Sequence, residues 1–133
     1  MLIERPLPVE QARLISMRLL AHLGDAVLHL FEREREVLTV SSAQQMHART
    51  TSRVSAARQA EFLHVVTDRL TELEHDIVRR ARNVKPAGYR KVGQSTYRKS
   101  TAYEALIGFL YLTDRDRLQT VLSWTSTGST VAG

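Results

Sequence analysis

An apolar run that contains a single acid constrains this chain more than any other feature. From Tyr103 to Leu112 the sequence reads YEALIGFLYL, and Glu104 is its only charged residue. An apolar run of this length without turn residues is more typical of a buried helix than of a strand. Because an ionised carboxylate is costly to bury alone, it must be paired, neutralised or bound to a metal. The sequence therefore predicts a partner for Glu104.

A second apolar run with one acid lies nearer the N-terminus. It reads LAHLGDAVL and places Asp25 beside Gly24, while Gly108 follows Glu104 by one turn. A glycine inside a helix costs roughly 1 kcal/mol relative to alanine, so it is easier to explain where two backbones approach closely. We therefore expect the two helices to pack together and to bring both carboxylates into one small volume. Carboxylates that close repel each other, and a raised pKa or a bound divalent cation relieves the repulsion.

The distribution of charge indicates a polyanionic partner. The 133 residues include 19 Lys and Arg against 14 Asp and Glu, yet no acid occurs between Ile77 and Tyr103. The basic residues of that interval are Arg79, Arg80, Arg82, Lys85, Arg90, Lys91, Arg98 and Lys99. Such clustering is typical of a nucleic-acid-binding protein, although a solvated charged loop has the same composition.

Length and composition predict one domain of ordinary globular type. The chain is 43% hydrophobic and 25% charged, with room for a single helical core. It has no cysteine, which excludes disulfides, thiolate metal ligands and a cysteine nucleophile. No segment has the apolar length of a membrane span and the N-terminus lacks a signal-peptide pattern, so we expect a cytoplasmic protein with no membrane partner.

The remaining sequence divides into short helices, and no strand pattern is present, so the expected class is all-α. We expect a helix from about Val9, a break near Ala21, and a second helix that ends in a solvent-facing charged tip at residues 32–36. Helix caps are predicted at Ser41 or Ser42, Ser55, Thr71 and Asp114. Residues 84–97 read as a long loop. The domain is expected to span residues 1–125, followed by a flexible tail at 126–133 that frays from about Thr125.

Several of these segments resemble a known family. LGDAV around Asp25 and EALIGFLYL from Glu104 resemble the two signature helices of the ribonuclease III catalytic domain. VSAARQA at 54–60, RRARNVK at 79–85 and YRKST at 97–101 agree with it in the right order. The chain is most similar to the Mini-ribonuclease III family, which consists of that domain without a separate double-stranded-RNA-binding domain. The resemblance covers roughly residues 20–112 and implies the helical ribonuclease III fold as a homodimer.

The resemblance implies an endoribonuclease that cleaves double-stranded RNA with Mg²⁺, for which Mn²⁺ can substitute. Asp25 and Glu104 are then the catalytic and metal-binding residues, and the eight basic residues named above are the RNA-binding ones. Larger ribonucleases III carry two further acids, at the positions of Ala21 and Thr101 here. The Mini-ribonuclease III family shares the reduced pair, so we expect one firmly held Mg²⁺, and a second ion held mainly by RNA remains an alternative.

The resemblance also implies partners. Cleaving both strands of a duplex needs two active centres, so a homodimer is expected with the Asp25 helix at the subunit contact. Leu20, Leu23 or Leu28 are expected in that interface. The family trims the ends of precursor 23S ribosomal RNA, which is the expected substrate. Assistance from a ribosomal protein stays open.

Three alternatives remain open from the sequence alone. Asp25 and Glu104 can be helix acids that are hydrogen-bonded to local donors. His22, Asp25 and His29 fall on one side of a helix and can bind a transition metal. The chain can also be a non-catalytic double-stranded-RNA-binding or ribosome-associated module with the same fold. Two acids in apolar helices favour the enzyme, because a module that only binds RNA does not need them.

Overall fold

The computed structural model describes residues 4–84 and 93–130, which form seven α-helices and one short 3₁₀ helix. The α-helices are α1 Val9–Ala12, α2 Met17–Glu36, α3 Ala43–Arg53, α4 Ala56–Val66, α5 Glu72–Arg82, α6 Gln94–Thr113 and α7 Arg115–Thr130. The 3₁₀ helix, Thr67–Arg69, connects α4 to α5. The described residues include no strand, so the predicted all-α class is confirmed. None of the described helices is long and apolar enough to cross a membrane.

Helix α6 is the centre of the fold. Residues 105–110 are all buried, and the ring of Tyr103 is fully buried 5.8 Å from the ring of Phe62 in α4. Helices α2, α4 and α5 pack around α6, and α1 and α7 also contact it. A helix that is apolar on most sides is stable only when neighbours cover those sides. The predicted buried helix is therefore confirmed as the core element.

Helices α2 and α6 touch through their backbones at two glycines. A Cβ atom added to Gly24 would lie 1.7 Å from the carbonyl oxygen of Glu104. A Cβ atom added to Gly108 would lie 2.1 Å from the carbonyl oxygen of Leu20. Neither position therefore accommodates alanine unless a helix moves. The close approach that the glycines predicted is confirmed.

The predicted capping residues begin their helices. Ser42, Ser55 and Asp114 each accept a hydrogen bond from the backbone N–H three residues later, at 3.0, 3.2 and 3.0 Å. Thr71 and Glu74 form a complete capping box at the start of α5, with hydrogen bonds of 2.9 and 3.2 Å. These local signals mark where α3, α4, α5 and α7 begin.

The break before α2 lies at residues 13–16, so the prediction of a break near Ala21 is wrong. The oxygen of the Ser16 side chain accepts a hydrogen bond from the Leu19 N–H at 3.2 Å and caps the helix there. Helix α2 then continues without interruption through Ala21 to Glu36.

The charged end of α2 is not simply a solvent-facing tip, as the sequence predicted. Glu32 is 4% exposed, and its carboxylate contacts Arg53 of α3 at 2.7 Å and Arg35 at 3.3 Å. A buried carboxylate requires such partners, and removing one of them is strongly destabilising. This ion pair attaches α3 to the end of α2.

Helices α6 and α7 are longer than expected. Helix α6 begins at Gln94, inside the predicted loop, and α7 continues to Thr130, beyond the start of the predicted tail. The hydroxyl groups of Ser123 and Thr125 donate to carbonyl oxygens three residues earlier, so small polar residues fit within α7. Residues 85–92 of the loop and 131–133 of the tail lie outside the described residues.

Candidate active site

The two acids singled out from the sequence meet in one cavity. It has a volume of about 310 Å³ and lies between α2 and α6, close to the end of α5. Its lining includes Arg18, His22, Asp25, Tyr97, Thr101 and Glu104. The glycine crossing explains the meeting, because Asp25 follows Gly24 in the chain and the Glu104 backbone lies against the same glycine.

The carboxyl groups of Asp25 and Glu104 lie within hydrogen-bonding contact of each other. Burial raises the pKa of Glu104 to about 8, and the hydrogen bond and negative charge of Asp25 act in the same direction. A hydrogen bond with Gln59 of α4 opposes this rise. The side chain of Asp25 is 47% exposed, so the pair is buried at one end and open to solvent at the other.

This pair of oxygen donors fits a hard divalent cation of the Mg²⁺ type. Mg²⁺ usually takes one or two protein carboxylates and keeps several of its waters, which requires open space beside the ligands. The cavity beside Asp25 and Glu104 provides that space. The raised pKa of Glu104 means that a proton relieves the repulsion between the acids when no cation does.

The alternative metal site with two histidines is not formed. The Nδ1 atom of His29 lies 2.8 Å from the backbone oxygen of Asp25 and 3.5 Å from its Oδ1, an arrangement within one helix. Among residues 4–84 and 93–130, no group of three His, Cys, Asp or Glu residues is placed to hold a metal ion. Asp25 instead interacts with Glu104 of another helix, which also argues against purely local hydrogen bonding.

Comparison with known proteins identifies the family. The Ribonuclease III domain matches residues 18–115. Mini-ribonuclease 3 of Gloeobacter violaceus is 42% identical over 112 residues, which cover 84% of this chain and 83% of that protein. Mini-ribonuclease 3 of Staphylococcus aureus is 40% identical, with 84% and 87% covered. This chain therefore belongs to the Mini-ribonuclease III family.

The fold comparison agrees with the sequence comparison. A crystal structure of a protein from Fusobacterium nucleatum is similar to this Mini-ribonuclease III with a TM-score of 0.77 and 26% identity. The similarity covers 84% of this chain and 93% of that one. The ribonuclease III fold predicted from the sequence is confirmed.

Of the eight basic residues predicted to bind RNA, five lie among the described residues, and they differ in exposure. Arg79, Arg80 and Arg82 are exposed in the last turn of α5, whereas Arg98 and Lys99 are partly buried near the start of α6. The remaining three, Lys85, Arg90 and Lys91, lie outside the described residues.

Two of the α5 arginines have partners within the protein. Arg79 pairs with Asp76 one turn earlier, and Arg80 donates to the carbonyl oxygen of Arg13 at 3.2 Å. The contact of Arg80 holds the end of α5 against the segment between α1 and α2. Arg79 and Arg80 therefore have structural contacts in addition to their predicted role in RNA binding.

Gln59 is a site residue that the sequence did not single out. It is 2% exposed, donates to the carbonyl oxygen of Val54 at 3.1 Å and reaches Glu104 from α4. It lies within a family-like segment, but only its burial and its contact across two helices reveal its role. Arg18, which lines the cavity from α2, was missed for the same reason.

An apolar stripe on α2 faces solvent in the single chain. Leu19 and Leu30 are 63% and 53% exposed, and Leu23 lies between them at helical spacing. The prediction that Leu20 or Leu28 lies in a subunit contact is wrong, because they are 1% and 4% exposed and belong to the chain's own core. Of the three leucines predicted, Leu23 keeps part of its surface available.

Proposed function

We propose that this Mini-ribonuclease III is a Mg²⁺-dependent enzyme that cleaves both strands of double-stranded RNA, with Asp25 and Glu104 as its metal ligands. Family membership makes the chain an endoribonuclease of the ribonuclease III type. The observation that supports the metal site is the contact between two carboxyl groups at the wall of an open cavity. Mn²⁺, which accepts the same oxygen donors, is expected to substitute.

When bound, Mg²⁺ supplies Lewis-acid polarisation of the phosphodiester and an activated water for its hydrolysis. The chain's own residues prepare that chemistry. The backbone contact of Gly24 with Glu104 holds the main chains that carry the two acids close together, and Gln59 orients the Glu104 carboxyl group. Glu104 must release its proton before both carboxylates can act as ligands, so metal affinity rises as the pH approaches 8.

Duplex RNA fits the distribution of charge on this chain. Proteins recognise double-stranded RNA mainly through phosphates and 2′-hydroxyl groups, so spaced cations serve better than base-reading side chains. The eight basic residues between positions 79 and 99 are the proposed RNA-binding set. Binding is therefore expected to weaken steeply as salt concentration rises.

We also propose that two copies associate through the stripe of Leu19, Leu23 and Leu30. A soluble chain rarely leaves a row of apolar side chains uncovered, and a symmetric pair would supply the two active centres that a duplex needs. Precursor 23S ribosomal RNA is the proposed substrate, with a ribosomal protein as an assisting partner. These last two points rest on the family resemblance.

The decisive experiment incubates the purified protein with duplex RNA in Mg²⁺, in Mn²⁺ or in EDTA. We expect cleavage with either metal and none with EDTA. Asp25→Asn should lower the cleavage rate by about 100-fold or more, because a ligand is lost. Asp116→Asn, an exposed acid at the start of α7, is the matched control and should cleave normally. RNA binding without cleavage would favour the non-catalytic module, and full cleavage by Asp25→Asn would refute the proposed site.

A further inference from the structure

The larger cavity beside the acid pair is lined by cations. It has a volume of about 560 Å³ and is lined by residues of α4, α5 and α6, among them Arg79, Arg82 and Arg98. Thr67 and Asn83 add polar side chains, and no described carboxylate lines the cavity. The composition of this wall suits an anion.

Arg98 is the most informative residue of this cavity. Its Nε atom is buried and has no hydrogen-bond partner among the described residues. A buried donor without a partner is unfavourable, and a bound ion is one of the few reasons for which native structures retain one. Arg82, which shares the cavity, also has no ion pair with any described residue.

The helix dipole offers a simpler reason for some of these cations, but not for all. Basic side chains in the last turn of a helix are favourable, which accounts for Arg79 and Arg82 at the end of α5. Arg98 lies near the opposite, N-terminal end of α6, where the dipole gives no such reason. Its buried Nε atom without a hydrogen-bond partner therefore needs a different explanation.

The two cavities lie side by side. Tyr97 and Val84 line the cavity with the acids, whereas their chain neighbours Arg98 and Asn83 line the basic cavity. Arg98 precedes Glu104 by six residues in α6, which corresponds to about 9 Å along the helix axis. This separation is larger than a single phosphate group, so the two cavities would hold different phosphates of the RNA.

We propose that the cavity lined by Arg79, Arg82 and Arg98 is a phosphate-binding site that holds a phosphate group of the RNA while another phosphate lies at Asp25 and Glu104. This rests on the proposed function. A guanidinium group matches a phosphate with paired hydrogen bonds, and a phosphate oxygen would satisfy the buried Nε of Arg98. The site positions the strand and takes no part in the chemical step.

The first test measures binding of duplex RNA with 5′-hydroxyl ends in EDTA at several salt concentrations. Arg98→Gln and Arg82→Gln are each expected to weaken binding about 10-fold at low salt and to lower the slope of log affinity against log salt by about 1. Arg115→Gln removes the same charge at the start of α7, lines neither cavity, and should match the wild type. Arg82 is exposed, so its replacement separates the effect from misfolding. Unchanged affinity and slope in both cavity variants, on this duplex and on the same duplex with 5′-phosphate ends, would overturn the proposal.

The second test identifies the source of the phosphate. The same duplex is compared with 5′-hydroxyl and with 5′-phosphate ends. Equal losses for Arg98→Gln on both duplexes assign the cavity to an internal phosphate, whereas a loss only with 5′-phosphate assigns it to a terminal one. Inorganic phosphate at matched ionic strength should also raise the melting temperature of the wild type and of Arg115→Gln, but not that of Arg98→Gln. A rise of the same size in Arg98→Gln would overturn the proposal.

Cleavage assays separate this proposal from the proposed function. If the wild type cleaves duplex RNA with Mg²⁺ while Arg98→Gln keeps its affinity and salt slope, the phosphate site fails and the enzyme assignment stands. If the wild type does not cleave while the salt slope still changes in Arg98→Gln, the phosphate site stands and the enzyme assignment fails.

Discussion

Replacing Glu104 by glutamine is expected to stabilise the metal-free protein at alkaline pH. The pKa of Glu104 is raised from its ordinary value of 4.5 to about 8 in the folded state. Between these values the folded protein retains a proton that the unfolded chain has released, so the free energy of unfolding falls as the pH rises and levels off above 8. Glutamine cannot ionise, and its amide can donate to Asp25 as a protonated Glu104 does.

The size of the effect follows from the same pKa. A difference of one in pKa corresponds to about 1.4 kcal/mol. The rise from 4.5 to about 8 therefore sets an upper limit of about 5 kcal/mol. Since the side chain of Asp25 is 47% exposed, solvent screens part of the repulsion, and we expect about 2 to 3 kcal/mol above pH 8. For a domain of this size that corresponds to a rise of roughly 6 to 12 °C in melting temperature.

The assay is thermal unfolding in EDTA at pH 5, 7 and 9, at one protein concentration. Glu104→Gln should melt slightly above the wild type at pH 5 and well above it at pH 9. Glu61→Gln, whose side chain is 65% exposed on α4, is the matched control and should follow the wild type throughout. Mg²⁺ at ten times its dissociation constant should stabilise the wild type by about 1.4 kcal/mol and the Glu104 variant much less. Equal melting temperatures of wild type and Glu104→Gln at pH 9 would refute the repulsion between the acids.

Two further predictions concern the helix contact and the apolar stripe. Gly24→Ala should destabilise the protein by about 3 kcal/mol or more and reduce cleavage, because its Cβ would lie 1.7 Å from the carbonyl oxygen of Glu104. Denaturant unfolding measures this, and Gly93→Ala, where no atom lies within 4 Å, should cost under about 1 kcal/mol. Equal losses in the free energy of unfolding for Gly24→Ala and Gly93→Ala would contradict the close contact between α2 and α6. Leu30→Glu, at a 53% exposed position, should produce a monomer in sedimentation equilibrium with its helical circular dichroism spectrum retained. A variant that sediments like the wild type would place the subunit contact elsewhere.

The parts of the fold that could be predicted are those with local signals. Ser42, Ser55 and the Thr71 capping box begin their helices as expected, because a cap depends on residues three positions apart in the chain. The end of α2 was predicted wrongly because Glu32 is buried by Arg53, which lies 21 residues later. Alternating charges in a sequence predict a solvent-exposed segment, and only the packing of α3 reveals that one of these charges belongs to a buried ion pair.

The same contrast between local sequence signals and long-range packing applies to the candidate site. The pairing of Asp25 with Glu104 could be predicted because each acid is accompanied by a glycine that permits close packing. Gln59 could not be predicted, since its role depends on how α4 packs against α6. The basic run predicted a positively charged surface but not where each side chain lies. The sequence therefore did not show that Tyr97 and Arg98 line different cavities.

The crossing of α2 and α6 also bears on which ions the site can select. The spacing of the main chains that carry the two acids is set by the contact of Gly24 with the Glu104 carbonyl group, which limits how far apart the carboxyl groups can move. A rigid pair of ligands favours a small ion with strict octahedral demands over a larger ion that tolerates irregular shells. Discrimination against Ca²⁺ would then reside in the peptide backbone, and altering it would require moving a helix.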